Sequence, residues 1–228
     1  MYSRDYKFIY VHIPKSAGTF VKHYLLSKIE PDYEHNQNQQ DYDHKYNITC
    51  ERALSAIVRE VPDYKDYYKF TVVRNPFDRV VSMFSYLGGW KFDYFVENNI
   101  DSPMMPYVQE FHKYYMSDDF DGFIDYAYKD QAIKKFHTGY YENYVDRISV
   151  KGDIVIDKFY KMENINGCLL DLQHHFKFDT PFGFNDWRKN SSSEYKKKEK
   201  YRDYYSSYSK DFIERHFIRD LEYFGYGF

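Results

Sequence analysis

Cysteine and long apolar runs are scarce in this sequence, and each shortage excludes a class of protein. Two cysteines in 228 residues, Cys50 and Cys168, are too few for a disulfide framework, and we expect both to be buried thiols. No stretch approaches the ~20 apolar residues of a membrane-spanning helix. The N-terminal residues lack the apolar stretch and cleavage site of a secretory signal. These absences predict a cytoplasmic protein without a transmembrane segment.

An excess of charge of one sign is also missing. The chain has 32 lysines and arginines against 35 aspartates and glutamates, which gives a formal net charge of −3. This balance argues against a protein that coats nucleic acid, and we predict no nucleic-acid partner. Aromatic residues are abundant instead, with 28 Tyr and 20 Phe, so the core is predicted to consist largely of rings. The length predicts a single domain over residues 1–228.

The first informative pattern is a strand, a loop and a helix near the N-terminus. A β-prone run at residues 8–11 precedes a loop that contains Pro14 and Gly18, and apolar residues then recur at helical spacing. Free backbone N–H groups and the helix dipole attract anions at such a helix start, where Lys15 and Thr19 flank Gly18. The loop is therefore predicted to bind phosphate or sulfate. A plain β–α turn with a surface lysine is the alternative.

The same pattern returns at residues 68–87. A strand over 68–73 leads through Arg74 into a helix that carries Arg79 and Ser82. Two such units predict a parallel α/β sheet whose loops face one pocket beyond the strand ends. Arginine can bind phosphate through paired hydrogen bonds, so both loops together imply a ligand with two separated anionic groups. Arg79 is expected to pair with a surface carboxylate instead.

The remaining segments show weaker patterns. Residues 30–47 are polar and predict a mobile loop, and residues 90–147 alternate helical segments with loops and predict a helical insertion. Further elements are predicted as a helix from Thr49 or Cys50 to about Val61, a buried strand at 154–156 followed by Phe159-Tyr160, and helices at 165–176, about 195–205, and 212–224. The helix near 195 would begin with a capping box at Ser191, and Gly88-Gly89 would end the helix that follows Arg74.

The two loops together closely resemble the paired signature of sulfotransferases that use 3′-phosphoadenosine 5′-phosphosulfate (PAPS), specifically the carbohydrate branch. The segments that carry the resemblance are His12-Ile13-Pro14-Lys15-Ser16-Ala17-Gly18-Thr19 and Phe70-Thr71-Val72-Val73-Arg74-Asn75-Pro76-Phe77-Asp78-Arg79-Val80-Val81-Ser82. Residues 160–164 are similar to that family's glutamate-bearing turn, and residues 190–191 and 220–226 to its closing region. The resemblance covers most of the chain and is weak only from about 90 to 135.

This resemblance implies a P-loop-NTPase-like α/β fold, with a parallel sheet flanked by helices and PAPS as the sulfonate donor. In that family the first loop holds the 5′-phosphosulfate and the second holds the 3′-phosphate. The donor-binding residues implied here are Lys15, Ser16, Ala17, Gly18, Thr19, Phe20, Arg74, Ser82 and Arg188. Phe20 departs from the family pattern, which often has a hydroxyl residue there. The alternative for Arg188 is that it is a solvated charge in a loop and does not bind the donor.

The implied reaction also needs a residue that stabilises the leaving group and a base that takes the proton of the acceptor hydroxyl. Sulfuryl transfer resembles phosphoryl transfer in that the acceptor oxygen attacks in line, and Lys15 is placed to neutralise charge on the leaving nucleotide. No residue cluster has metal-ligand spacing, so no metal is predicted. His44 is the first choice for the base, with Glu51, His35 and His137 in reserve. A solvent-exposed loop histidine is the alternative for His44.

The acceptor is predicted to be a small molecule or a glycan, with a sugar hydroxyl favoured by the branch that the motifs resemble. The missing membrane anchor departs from animal relatives of the Golgi and, with the biased composition, indicates a microbial source. Two other classes stay open. A P-loop kinase or NTPase would need the Walker A order and an acidic residue where Arg74 stands. A relative that binds PAPS or glycan without catalysis would also tolerate Phe20.

Overall fold

The computed structural model describes residues 1–30, 32–33, 45–46, 52–178 and 194–228. The strands are, in chain order, β1 (Tyr2–Ser3), β2 (Phe8–Val11), β3 (Tyr68–Val73), β4 (Ser149–Val150), β5 (Asp153–Ile154) and β6 (Lys158–Lys161). The α-helices are α1 (Gly18–Ile29), α2 (Leu54–Ile57), α3 (Pro76–Ser85), α4 (Lys91–Glu97), α5 (Met105–Met116), α6 (Phe120–Ile124), α7 (Ala132–Phe136), α8 (Thr138–Tyr141), α9 (Tyr144–Arg147), α10 (Ile165–Phe176), α11 (Ser207–His216) and α12 (Ile218–Phe224). π-Helical turns lie at Tyr86–Trp90 and Asp125–Lys129, and 3₁₀ turns at Tyr64–Asp66, Met162–Asn164 and Tyr201–Tyr204.

The chain divides into two compact units. The first unit comprises Met1–Arg74 and Tyr144–Arg188, and the second comprises Asn75–Asn143 and Lys189–Phe228. The first unit contains the strands, and the described part of the second is helical. The single-domain organisation, with a loop over 30–47 and a helical insertion over 90–147, stays a prediction.

The first unit is built on a sheet with the strand order β1-β2-β3-β6. β2, β3 and β6 run parallel, whereas β1 pairs antiparallel with β2. Every residue of β2 is buried, and so is every residue of β3 after the first, as expected for parallel strands that are covered on both faces. Side chains of α1 and α10 pack with those of the strands in one apolar cluster. The predicted α/β class, a parallel sheet flanked by helices, is confirmed.

Aromatic rings fill the core of the first unit, as the composition predicts. Tyr10 and Phe70 stack from adjacent strands with ring centroids 5.1 Å apart. The fully buried Tyr24 in α1 donates its hydroxyl hydrogen to the carbonyl oxygen of Leu169 in α10, at 3.0 Å. Cys168 is a buried thiol whose pKa is raised by burial, so it is an inert core residue. Cys50 lies outside the described residues.

Of the strand predicted at 154–156 and Phe159-Tyr160, only the second part lies in the sheet, within β6. Ile154 belongs to the exposed β5, and the sheet strand is β6, which begins at Lys158. Asp157 sets this start, because its carboxylate accepts hydrogen bonds from the backbone N–H of Lys69 at 2.6 Å and from its ammonium at 2.8 Å. The pairing with β3 therefore begins at an acidic residue, and a search for apolar runs does not predict such a start.

Two helix predictions in the first unit have different outcomes. The helix expected at 165–176 matches α10, in which Leu169 and Leu172 are buried. Leu170, between them, is 57% exposed, since consecutive helix positions point in different directions. The helix expected to reach Val61 ends at Ile57 in a turn, and its predicted start at Thr49 or Cys50 lies outside the described residues.

The second unit begins with α3, the helix that carries Ser82. Pro76 occupies its first turn, and the Asn75 side chain caps it by accepting a hydrogen bond from the N–H of Phe77 at 3.0 Å. The predicted end at Gly88-Gly89 is wrong, because the chain continues there as a π-helical turn into α4. A β-carbon on Gly88 would lie 2.4 Å from Cβ of Tyr115, so this glycine permits close packing against α5.

The C-terminal helices of the second unit also differ from the prediction. Residues 194–200 form turns and bends, followed by a 3₁₀ turn, instead of the helix expected at about 195–205. A capping box is present at Ser206 and Ser209, where α11 begins, whereas Ser191 lies outside the described residues. The closing helix is broken at Phe217 into α11 and α12.

Arg79 is a core residue, whereas the sequence predicts a surface position for it. Its side chain is fully buried, its guanidinium donates to the carbonyl oxygen of Gly139, and it lies 5.7 Å from the ring centroid of Phe217. Arg79 and Val80 are consecutive in the helix, and the sequence does not show that the helix face of Arg79 is buried as well as that of Val80. His216, at the end of α11, is in the same part of the unit, and its Nε2 lies 2.9 Å from the carbonyl oxygen of Tyr141.

We expect His216 to make the stability of the protein fall on acidification. Burial lowers the pKa of His216 below 6.5, and the Arg79 charge adds to this, although the bond to Tyr141 opposes it. The unfolded chain therefore binds a proton at this position first, so the contribution is intact above the unfolded pKa and is lost as pH falls toward the folded pKa. Urea unfolding of the wild type and of His216→Gln should show a steeper loss between pH 7.5 and pH 5 in the wild type. Parallel curves would contradict this assignment.

Candidate functional site

The loop between β2 and α1 has an unusual backbone. Lys15 and Ala17 adopt φ angles of 65° and 59°, in the left-handed region that favours glycine. Non-glycine residues in this region are held there by their surroundings and occur often at binding sites. Backbone N–H groups in turns of this kind form concavities that bind anions. No described side chain caps α1, and its first turn has no acidic residue, so its N-terminal N–H groups and dipole favour an anion.

Gly18 begins α1 and is required by the close approach of His12. A β-carbon at residue 18 would lie 1.6 Å from Nε2 and 1.8 Å from Cδ2 of His12. The His12 ring is stacked on the ring of Tyr10, with 6.1 Å between centroids and 13° between planes. Gly18 is not among the glycines with positive φ. Glycine is therefore required at position 18 because the imidazole leaves no room for a side chain, and not because the backbone needs a positive φ.

Ser16 brings a buried hydroxyl into the same loop. The residue is fully buried, and its Oγ has no hydrogen-bond partner among the described residues. A buried hydroxyl in that state costs free energy, and an acceptor oxygen of a bound anion would satisfy it. Thr19 is exposed, and Phe20 packs at the border of the apolar cluster of the first unit. Packing thus accounts for a ring where a hydroxyl residue was expected.

Arg74 follows β3 and reaches the first loop. Its side chain is buried, and Nη1 donates a hydrogen bond to the carbonyl oxygen of Lys15 at 3.2 Å. Both loops leave the same edge of the sheet, because β2 and β3 are adjacent and parallel, with Val11 paired to Thr71. The structure therefore brings together the first loop and Arg74, two features that the sequence identified separately.

Tyr144 is a residue of this site that the sequence did not reveal. It lies in α9, is fully buried, and donates its hydroxyl hydrogen to the carbonyl oxygen of Arg74 at 3.0 Å. The two residues are 70 positions apart. With 28 tyrosines in the chain, residue type alone does not distinguish this one.

The other predicted site residues lie in the second unit or outside the described residues. Ser82 is a buried residue of α3 in the second unit. His137 is also in the second unit, where its Nδ1 accepts a hydrogen bond from the N–H of Gly139 at 3.1 Å and caps α8. The residues that lie outside the described part of the chain are His44, Arg188, Glu51 and His35.

The chemistry of the described site is that of anion binding. Its charged residues are Lys15, in the loop that precedes α1, and Arg74, whose guanidinium donates to the main chain of Lys15. Within residues 1–30, 32–33, 45–46, 52–178 and 194–228, no group of three or more His, Cys, Asp or Glu residues could hold a metal ion. In the same ranges, no helix has the length and apolar character needed to span a membrane.

A parallel sheet with a loop and an uncapped helix start after one strand and a buried arginine after the next defines an α/β protein whose strand ends carry the kinds of donors that an anion needs. The chain belongs to the sulfotransferase family, because the model of the Sulfotransferase family matches residues 1–227. No curated protein and no solved structure matches the sequence significantly. Family membership confirms the resemblance to sulfotransferases and supports the transfer of a sulfonate group as the activity.

Proposed function

We propose that this protein is a PAPS-dependent sulfotransferase that transfers a sulfonate group to a hydroxyl of a small-molecule or glycan acceptor. The observation that carries the proposal is the hydrogen bond between the Arg74 guanidinium and the Lys15 carbonyl oxygen, at 3.2 Å. It joins Arg74 to the loop that contains Lys15, and this supports a site for a donor with phosphate groups at both ends. The first loop would bind the 5′-phosphosulfate, and Arg74 the 3′-phosphate. Ser82 and Arg188 are proposed for the 3′-phosphate on the resemblance alone.

The residues of the first loop have distinct roles in this proposal. The donor supplies an activated sulfonate, and transfer breaks the bond between sulfur and the bridging oxygen, which keeps the electron pair. Lys15 stabilises the charge that develops on that oxygen. Ser16 donates its buried hydroxyl hydrogen to an oxygen of the same anion, and the N–H groups at the start of α1 add further donors. The acceptor proton passes to a base, for which His44 is proposed.

We propose a sugar hydroxyl as the acceptor, a cytoplasmic location and a microbial source. The sugar acceptor is supported by the residues of the two motifs, which resemble those of the carbohydrate branch. The location is supported by the small number of cysteines, two in the given sequence, and the source by the bias toward Tyr, Phe, Lys, Asn and Ile.

Two measurements test the proposed function. Calorimetry should detect binding of adenosine 3′,5′-bisphosphate in the absence of magnesium, whereas magnesium-dependent binding of ATP would favour a kinase or NTPase. Incubation with PAPS and a panel of glycans and phenols should add a sulfonate to one of them, as read by mass spectrometry. Binding of PAPS without its consumption by any acceptor would instead favour a non-catalytic relative.

We expect His44→Ala to reduce the rate of sulfonate transfer by about 10²-fold or more, because a positioned base contributes that much to proton transfer. Affinity for adenosine 3′,5′-bisphosphate should stay unchanged. His174→Ala, at an exposed position of α10, is the control and should retain full activity. A transfer rate within a few-fold of the wild type for His44→Ala would exclude His44 as the base.

A further inference from the structure

Tyr144 is linked to the first loop through Arg74. The tyrosine hydroxyl donates to the carbonyl oxygen of Arg74 at 3.0 Å, and the guanidinium of Arg74 donates to the carbonyl oxygen of Lys15 at 3.2 Å. Tyr144 and Arg74 are both buried. The main chain and the side chain of Arg74 are thus each fixed by a separate hydrogen bond.

The position of Arg74 in the sheet explains why its main chain needs this support. The register between β3 and β6 ends with Val73 paired to Lys161. Arg74 is the next residue, so its carbonyl group lies beyond the paired part of the strand, and the hydroxyl of Tyr144 supplies its hydrogen bond. A buried carbonyl group needs such a donor, and a fixed donor also fixes the direction in which the strand leaves the sheet.

We infer that Tyr144 is a positioning residue that aims the Arg74 guanidinium at the 3′-phosphate of the donor. This inference rests on the proposed function, because it assigns Tyr144 to the binding of one end of the proposed nucleotide. Tyr144 itself does not touch the reacting atoms in this assignment. It sets how strongly the protein prefers a nucleotide with a 3′-phosphate over the same nucleotide without one.

The test compares Tyr144→Phe with Tyr24→Phe. Tyr24 is a matched control, because it is also a fully buried tyrosine of the first unit whose hydroxyl donates to a main-chain carbonyl group at 3.0 Å. Both variants lose one buried hydrogen bond and should be destabilised similarly. The readout is the ratio of the affinities for adenosine 3′,5′-bisphosphate and adenosine 5′-phosphate, which differ only in the 3′-phosphate. A general loss of stability does not change this ratio.

We expect Tyr144→Phe to lower this ratio about fivefold, the factor that corresponds to one hydrogen bond of typical strength. Tyr24→Phe should leave the ratio at the wild-type value. An unchanged ratio in folded Tyr144→Phe would overturn the inference, and so would an equal fall in both variants. If the wild type binds neither nucleotide, or binds both equally, the proposed function fails first. The two failures are therefore distinguishable.

Discussion

Replacing Lys15 with alanine is expected to reduce the rate of sulfonate transfer by about 10²–10³-fold, the usual effect of removing one donor that stabilises transition-state charge. The ammonium group has no counterpart in alanine, whereas the carbonyl oxygen that accepts the hydrogen bond from Arg74 belongs to the main chain and remains. The loop should therefore keep its backbone while it loses its charge. Transfer from PAPS to the best acceptor of the panel, measured by mass spectrometry, gives the rate.

Binding and stability measurements separate a role in transfer from a role in folding. Lys65→Ala removes an exposed lysine of the first unit and should leave the rate unchanged. Lys15→Ala should bind PAPS, in the absence of acceptor, less than tenfold more weakly than the wild type, because the charge on the leaving oxygen develops only during transfer. A Lys15→Ala enzyme that transfers sulfonate within a few-fold of the wild-type rate would exclude Lys15 as the residue that stabilises the leaving group.

The parts of the site that the sequence predicts are those encoded by neighbouring residues. The first loop lies between a short apolar strand and a helix with apolar residues at regular spacing, and both patterns span only a few residues. Arg74 follows the same kind of strand. Because parallel strands bring their ends to one edge, the proximity of these two loops also follows from the predicted sheet.

Contacts between distant segments were beyond prediction. The hydrogen bond from Tyr144 to Arg74 spans 70 residues, and the aromatic-rich segment before Tyr144 has no pattern that selects this ring. Arg79 shows the same limit in the second unit, since its buried guanidinium depends on the carbonyl group of Gly139, 60 residues away. The charge of Arg79 suggests a surface position, but tertiary packing buries its side chain. The start of β6 likewise depends on Asp157, a polar residue that contacts Lys69.

Replacing Gly18 with alanine is expected to destabilise the protein by about 1–3 kcal/mol, as overpacking of a filled site does. The new β-carbon would lie 1.6 Å from Nε2 of His12, so the imidazole would have to leave its place beside Tyr10. Donor binding should weaken as well, because Gly18 is the first residue of the helix that we propose binds the anion. Urea unfolding and calorimetry with adenosine 3′,5′-bisphosphate measure the two effects. Gly227→Ala is the control, since no atom of the described residues, apart from its own and its two chain neighbours, lies within 4 Å of its added β-carbon.

Combining Gly18→Ala with His12→Ala identifies the cause of that loss. If the imidazole alone excludes a larger residue, removing it makes room for the new methyl group, and the double variant should be more stable than Gly18→Ala. The effects of the two substitutions would then be non-additive, as expected for residues in direct contact. Alanine meets no backbone penalty here, because Gly18 is not among the glycines with positive φ and alanine favours a helix more than glycine does. Additive losses would show instead that His12 and Gly18 act on the loop independently.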